Sequence, residues 1–155
     1  PEVFEQWRTL DLFDLKDEGT YESLAFKPVF IGSTAPIIEK SLRGDVIACK
    51  LSGPTAKKLS PLTLSRTNAF PGDVVWLLGN PNEGARQIAR ARVVEYDDTF
   101  FHYQFEGSIE IAGTAGAPVL NRRGELVGIQ GGHVTTRVPQ QGVATNVSCF
   151  IDRLR

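Results

Sequence analysis

The stretch GTAGAPVLNRRGELVGI, Gly113 to Ile129, holds two glycines three residues apart, a proline, and two short apolar runs split by a polar turn. Gly113 and Gly116 permit backbone conformations that a side chain would obstruct, and Pro118 fixes φ as the chain enters the first apolar run. The segment therefore reads as a tight turn, a strand (117–121), the turn NRRG, and a second strand (125–131). A turn of this kind suits a reactive serine, which needs its oxygen projected and backbone N–H groups aimed at a developing oxyanion. Where that serine would stand, the chain has Ala115.

Working outward, short strand-like runs bounded by Gly, Pro, Asn and Asp dominate, and helical periodicity is scarce. Residues 74–80, 86–96 and 99–106 form a meander, with Asp97 and Asp98 marking a tight turn. In IARARVVEY, Ile88, Arg90, Arg92 and Val94 share one face, while Ala89, Ala91 and Val93 share the other. With 117–121, 125–131 and 142–147, the region 74–147 holds six strands, enough to close a small antiparallel barrel. Upstream, strands are expected at 7–14, 23–31, 45–51 and 61–65, with a loop at 52–60. The tail SCFIDRLR reads as a short closing helix with Ser148 as its N-cap.

Composition narrows the class. The chain has 155 residues, 41% apolar and 23% charged, as in an ordinary globular domain. Net charge is −1, and no basic stripe or aromatic stacking platform points to nucleic acid. No apolar run approaches the length of a membrane-spanning helix. Nor does the start resemble a signal peptide, and the compartment stays open. Cys49 and Cys149 fit no metal spacing and read as two buried thiols rather than a disulfide. No His/Asp/Glu/Cys grouping suggests a metal, and no cofactor is expected. The loop GNPNEG (79–84) lacks the lysine and spacing of a phosphate loop. Methionine is absent, so the chain reads as a processed or trimmed product.

Three segments in order carry a family resemblance. GTAGAPVLNRRGELVGIQGG resembles the nucleophile region of chymotrypsin-like (trypsin-like) serine peptidases of the bacterial branch, whose motif is GxSGxP. GDVIACKL (44–51) resembles their aspartate segment, and PGDVVWLLGNP (71–81) the strand opening the second barrel. The resemblance implies an all-β fold of two six-stranded antiparallel barrels, with residues 1–66 the remainder of a first barrel. Residues 67–147 would be the second barrel and 148–155 a C-terminal helix. It implies hydrolysis of peptide bonds in a peptide or protein substrate, with Asp45 as the triad acid. Gly113 and the N–H of residue 115 would be the oxyanion donors. Gln130 would lie at the base side of the pocket for the residue before the scissile bond, Gly131 and Gly132 along its wall, and His133 at its edge.

Two departures stand out. Ala115 has no nucleophilic atom, so this chain is expected to bind peptide without cleaving it. Ala115 is either a deliberate replacement of serine, in a frame whose glycines and proline are intact, or a natural loss in a pseudoprotease that serves as a binding or scaffold module. The family's histidine lies upstream of its aspartate, yet His102 and His133 both follow Asp45. The resemblance thus places a histidine-bearing segment, with the missing first-barrel strands, before Pro1 or in a partner chain. His133 also reads simply as an exposed loop residue, Asp45 as a turn residue, and His102 as a strand-face residue.

Overall fold

The structure, a computed structural model, describes residues 12–16, 20–24, 26–31, 47–51, 61–79, 87–134, 139–149 and 151. The chain divides into two units, residues 1–31 with 47–61, and residues 32–46 with 62–155.

In the first unit, β1 (Leu12–Lys16) pairs antiparallel with β2 (Thr20–Leu24), and β3 (Phe26–Ile31) with β4 (Ile47–Leu51). Of the expected strand at 7–14, residues 12–14 fall in β1 and the rest lie outside the described residues; of that expected at 23–31, residues 23–24 end β2 and 26–31 form β3. The β3–β4 register slips between Pro28 and Phe30, where a residue without an N–H leaves the ladder incomplete. Residues 61–65 form no strand; Leu64 makes one isolated parallel bridge to Leu126.

The second unit contains a closed barrel with strand order β10-β7-β6-β5-β8-β9. Its strands are β5 (Val74–Gly79), β6 (Gln87–Tyr96), β7 (Phe100–Phe105), β8 (Pro118–Leu120), β9 (Leu126–Val134) and β10 (Gln141–Asn146), all antiparallel. Alternation decides which side chains enter the barrel. On β6, Ala89, Ala91 and Val93 are buried while Ile88, Arg90 and Arg92 are exposed. On β7, Phe101, Tyr103 and Phe105 turn inward, with successive ring centroids 5.8 and 5.2 Å apart. Val75, Leu77, Val119 and Val127 complete the core from β5, β8 and β9. The alanines of β6 are small because the β7 rings occupy the interior beside them. Barrel closure matters physically, because it leaves the six strands without a free edge over their paired lengths.

Two turns set the registers. Asp97 accepts the N–H groups of Thr99 at 2.6 Å and Phe100 at 2.9 Å, and its own N–H donates to the Phe100 carbonyl at 2.9 Å. Its carboxylate thus shapes the β6–β7 turn. Between β8 and β9, Asn121 Oδ1 accepts from the Arg123 and Glu125 N–H groups, and Gly124 sits at φ 74°. After β10, a 3-10 turn spans Val147–Cys149, so Ser148 lies inside this turn rather than capping a helix. The Cys149 thiol lies 3.3 Å from the Thr99 carbonyl and is half-buried. Residues 150 and 152–155 lie outside the described residues, as does the side chain of Cys49. No helix among the described residues is long and apolar enough to cross a membrane.

One polar pair sits within this core. The Tyr103 hydroxyl, fully buried, donates to Gln130 Oε1, and Gln130 Nε2 donates to the Gly132 carbonyl at 2.6 Å. Burial holds the Tyr103 phenol well above its usual ionisation range, since a phenolate there would lose its hydration.

Two outcomes follow for stability. Asp97→Ala removes a carboxylate that holds two N–H groups and should cost about 1–3 kcal/mol in denaturant unfolding. Asp98→Ala, at an exposed neighbour, should stay within about 0.5 kcal/mol. For Tyr103, the unfolded chain releases phenol protons near pH ~10 while the fold retains this one, so stability should fall as pH rises above that value. Native Tyr103→Phe should accordingly give the parent's phenolate absorbance change, and the two unfolded proteins should differ by one phenol. A native titration smaller by one phenol in the variant would show that Tyr103 ionises in the fold.

Candidate active site

The turn that the sequence singled out leads from the segment after β7 into β8. Gly113 adopts φ 79° and Gly116 φ 86°, the left-handed region that costs other residues about 1–2 kcal/mol. Between them the chain doubles back on itself. Thr114 N–H and Thr114 Oγ1 both donate to the Ile111 carbonyl, at 3.2 and 2.7 Å, and Ala117 N–H donates to the Thr114 carbonyl at 3.0 Å. Thr114 is only 3% exposed. A Cβ placed on Gly79, at the end of β5, would lie 2.8 Å from the Thr114 methyl. The threonine hydroxyl is therefore spent inside the turn and offers no substitute nucleophile.

Turning Thr114 inward turns Ala115 outward. Ala112, Gly113, Ala115 and Gly116 are all exposed. The turn is stitched to β9 by two bonds, Gly116 N–H to the Gln130 carbonyl at 2.7 Å and Gln130 N–H to the Ala117 carbonyl at 2.9 Å. Ala112 N–H is taken by Glu110 Oε1 at 3.0 Å. Two donors remain. Among the described residues, the N–H groups of Gly113 and Ala115 donate to no acceptor. Unpaired N–H groups on nearby residues of a turn are the kind of donor that can bind a carbonyl oxygen or anion.

The four residues expected along a peptide pocket are consecutive on β9, next to this turn. Its register with β10 shifts between Val143 and Ala144: Gly132 opposes Val143 and Gln130 opposes Ala144, which leaves Gly131 as the extra residue. Beyond Ile129, which pairs with Pro118, β8 supplies no further partner. Among the described residues, no strand pairs with the β8-side edge of Gly131–Val134. A Cβ on Gly132 would meet nothing within 4 Å, so the face of β9 on which it would stand is open there. His133 is exposed, as its loop reading suggested. Gln130 is 2% exposed, with its carboxamide held between Tyr103 and Gly132.

Tyr103 is the participant the sequence reading missed. Its signal was Gly142, the residue that faces it across the β7–β10 ladder. His102 lies on the outer face of β7, tilted over Phe100 at 5.5 Å between centroids, with Nδ1 4.0 Å from Glu95 Oε2. The structure does not bring it to the turn: on β7 it faces outward, opposite in alternation to Tyr103. Asp45 lies outside the described residues. Among the described residues, no group of three or more His, Cys, Asp or Glu is placed to hold a metal ion.

Residues 19–129 match the trypsin-like peptidase domain family. No curated protein matches the chain. Solved structures with the same fold include the active form of the Rv3671c protease from M. tuberculosis. It is 15% identical at a TM-score of 0.61, with 86% of this chain and 58% of that chain covered. A Glu endopeptidase is 13% identical with a TM-score of 0.64, covering 93% of this chain and 68% of that one. A scabies mite inactivated protease paralogue is 18% identical with a TM-score of 0.69, covering 94% and 73% respectively. The chain thus spans little more than half the length of the Rv3671c protease structure. At these identities the likeness is one of fold, and the family match carries the assignment. With an all-β chain, a closed six-stranded barrel and that match over most of its length, the protein belongs to the trypsin-like peptidase domain family of serine peptidases.

Proposed function

We propose that this chain is a serine endopeptidase domain in an inactive form, one that binds an extended peptide and does not cleave it. The observation that carries the reading is the pair of unpaired N–H groups at Gly113 and Ala115, on a turn that exposes residue 115. A peptide carbonyl oxygen placed between them would receive both hydrogen bonds, which strengthen as the oxygen gains charge. With serine at 115, Oγ would attack that carbonyl and its proton would pass to a histidine. The resulting tetrahedral oxyanion would rest on the two N–H groups, and collapse would expel the amine with the proton returned. Asp45 would orient the histidine, which would be supplied by a segment preceding Pro1 or by a partner chain. That segment would also complete the barrel to which residues 1–66 contribute. Ala115 has no oxygen, so binding remains and the acyl pathway does not. The open edge at Gly131–His133 would pair with the peptide backbone, an added strand on a sheet edge.

A second reading is favoured by the same residue. The turn is fully formed around Ala115, as expected of a natural pseudoprotease that keeps its cleft for recognition. A native alanine codon at position 115 would select it, and a serine codon would select the peptidase.

The test is covalent. The complete gene product carrying Ala115→Ser should be labelled by a fluorophosphonate, and the Ala115 protein should not. A folded Ala115→Ser protein that takes no label would contradict the peptidase reading.

A further inference from the structure

At the level of the turn, two strands of the barrel, β7 and β9, are bridged across a third, β10, by one buried polar chain. The Tyr103 ring leaves β7 and crosses β10 at Gly142. A Cβ on Gly142 would lie 2.5 Å from Tyr103 Cζ and 2.7 Å from its hydroxyl oxygen. That hydroxyl donates to Gln130 Oε1 on β9, whose Nε2 turns to the Gly132 carbonyl. The backbone of the same Gln130 holds Gly116 and Ala117. The space that glycine leaves at position 142 is therefore filled by a phenol, whereas the space beside Gly132 is open. Tyr103 and Gln130 are both at most 2% exposed, and neither carries a charge.

We infer that Tyr103 and Gln130 form a closed, uncharged floor beneath the Gly131–Gly132 edge, which makes this site selective for peptides with a small uncharged side chain before the carbonyl held at Gly113 and Ala115. The inference rests on the peptide-binding reading above. A peptide paired with the Gly131–His133 edge sends alternate side chains to opposite faces. The one adjoining the held carbonyl faces the barrel end, where the Tyr103 ring and the Gln130 carboxamide stop it. Glycine, alanine or serine fits such a floor. A phenylalanine ring would have to displace the phenol. A lysine or glutamate would bring a charge against two neutral groups that are already bonded to each other, with no counter-ion in the floor. On the adjoining loop, the Glu110 carboxylate is exposed and bonded to Ala112 N–H. A basic side chain is thus the sharpest competitor.

The test uses the complete gene product carrying Ala115→Ser and a set of peptides that differ only in the residue before the scissile bond. Alanine should exceed phenylalanine, lysine and glutamate by about tenfold or more in kcat/KM, the scale on which pockets discriminate size and polarity. Tyr103→Leu, which shortens the floor while keeping it apolar, should raise the relative rate for phenylalanine by about tenfold. Gln130→Ala, which lowers the floor without touching the ring, is the second variant and should shift the preference the same way. Both are checked for folding by thermal melts. A protein that labels with fluorophosphonate yet prefers phenylalanine, lysine or glutamate overturns the closed floor and leaves the peptidase reading standing. A folded protein that neither labels nor cleaves overturns the peptidase reading, and this inference with it.

Discussion

The Gly116 N–H donates to the Gln130 carbonyl at 2.7 Å, and the Gln130 N–H returns to the Ala117 carbonyl at 2.9 Å. These two bonds anchor a turn whose glycines occupy the left-handed region, and they tie it to the closed barrel. With Thr114 folded inward onto Ile111, they determine which backbone groups of the turn are consumed and which point outward. The unpaired N–H groups of Gly113 and Ala115 are a consequence of that geometry. Donors fixed in place before a ligand arrives need no reorganisation when charge develops on it, which is why such receptors act strongly. The side chain of the same residue is fixed in turn by Tyr103, so one glutamine links the barrel interior, the turn and the open edge of β9.

Burial makes this arrangement rigid and also exacting. A carboxamide that is 2% exposed must have partners, because an unpaired polar group in such a place costs about 1–3 kcal/mol. Tyr103 satisfies the oxygen, Gly132 the nitrogen. Gly142 is required by the same logic, since any side chain there would compete with the phenol for space. The β-bulge at Gly131 completes the set, shifting the register with β10 by one residue next to the turn. Interior packing and site geometry are therefore one problem here, solved by a phenol, an amide and three glycines.

Much of the second unit was legible from residue order. The alternation of β6 set Ala89, Ala91 and Val93 on one face and the arginines on the other, and the structure buries the first set. Six strands between 74 and 147 close a barrel, and the turn at Asp97–Asp98 is built by an aspartate, as that residue type suggests. The first unit was harder to read, for physical reasons. In DLFDLKDEGTYESL, charged residues interrupt each apolar run, so no period-2 signal marks where β1 ends and β2 begins. PLTLS has the composition of a strand, but pairing is a property of two segments, and Leu64 finds only one bridge. At the site, the glycines and Pro118 announced the turn by type. The pocket was read by resemblance from Gln130, Gly131, Gly132 and His133 without Tyr103, because alternating aromatics in FFHYQF do not say which ring reaches across the neighbouring strand. Only the glycine opposite Tyr103 carries that information, and it is visible once the β7–β10 register is known. The acid expected at Asp45 lies outside the described residues.

The central claim is that Gly113 and Ala115 present two preset donors to a peptide oxygen. Amide NMR of the Ala115 protein, titrated with an acetylated tetrapeptide ending in an alanine carboxylate, tests it directly. The account predicts that the amide protons of Gly113 and Ala115 move downfield together and saturate with the same affinity as the Gly131–His133 resonances. If the peptide binds and shifts other resonances while those two amides stay where they are, the site is not the receptor described here.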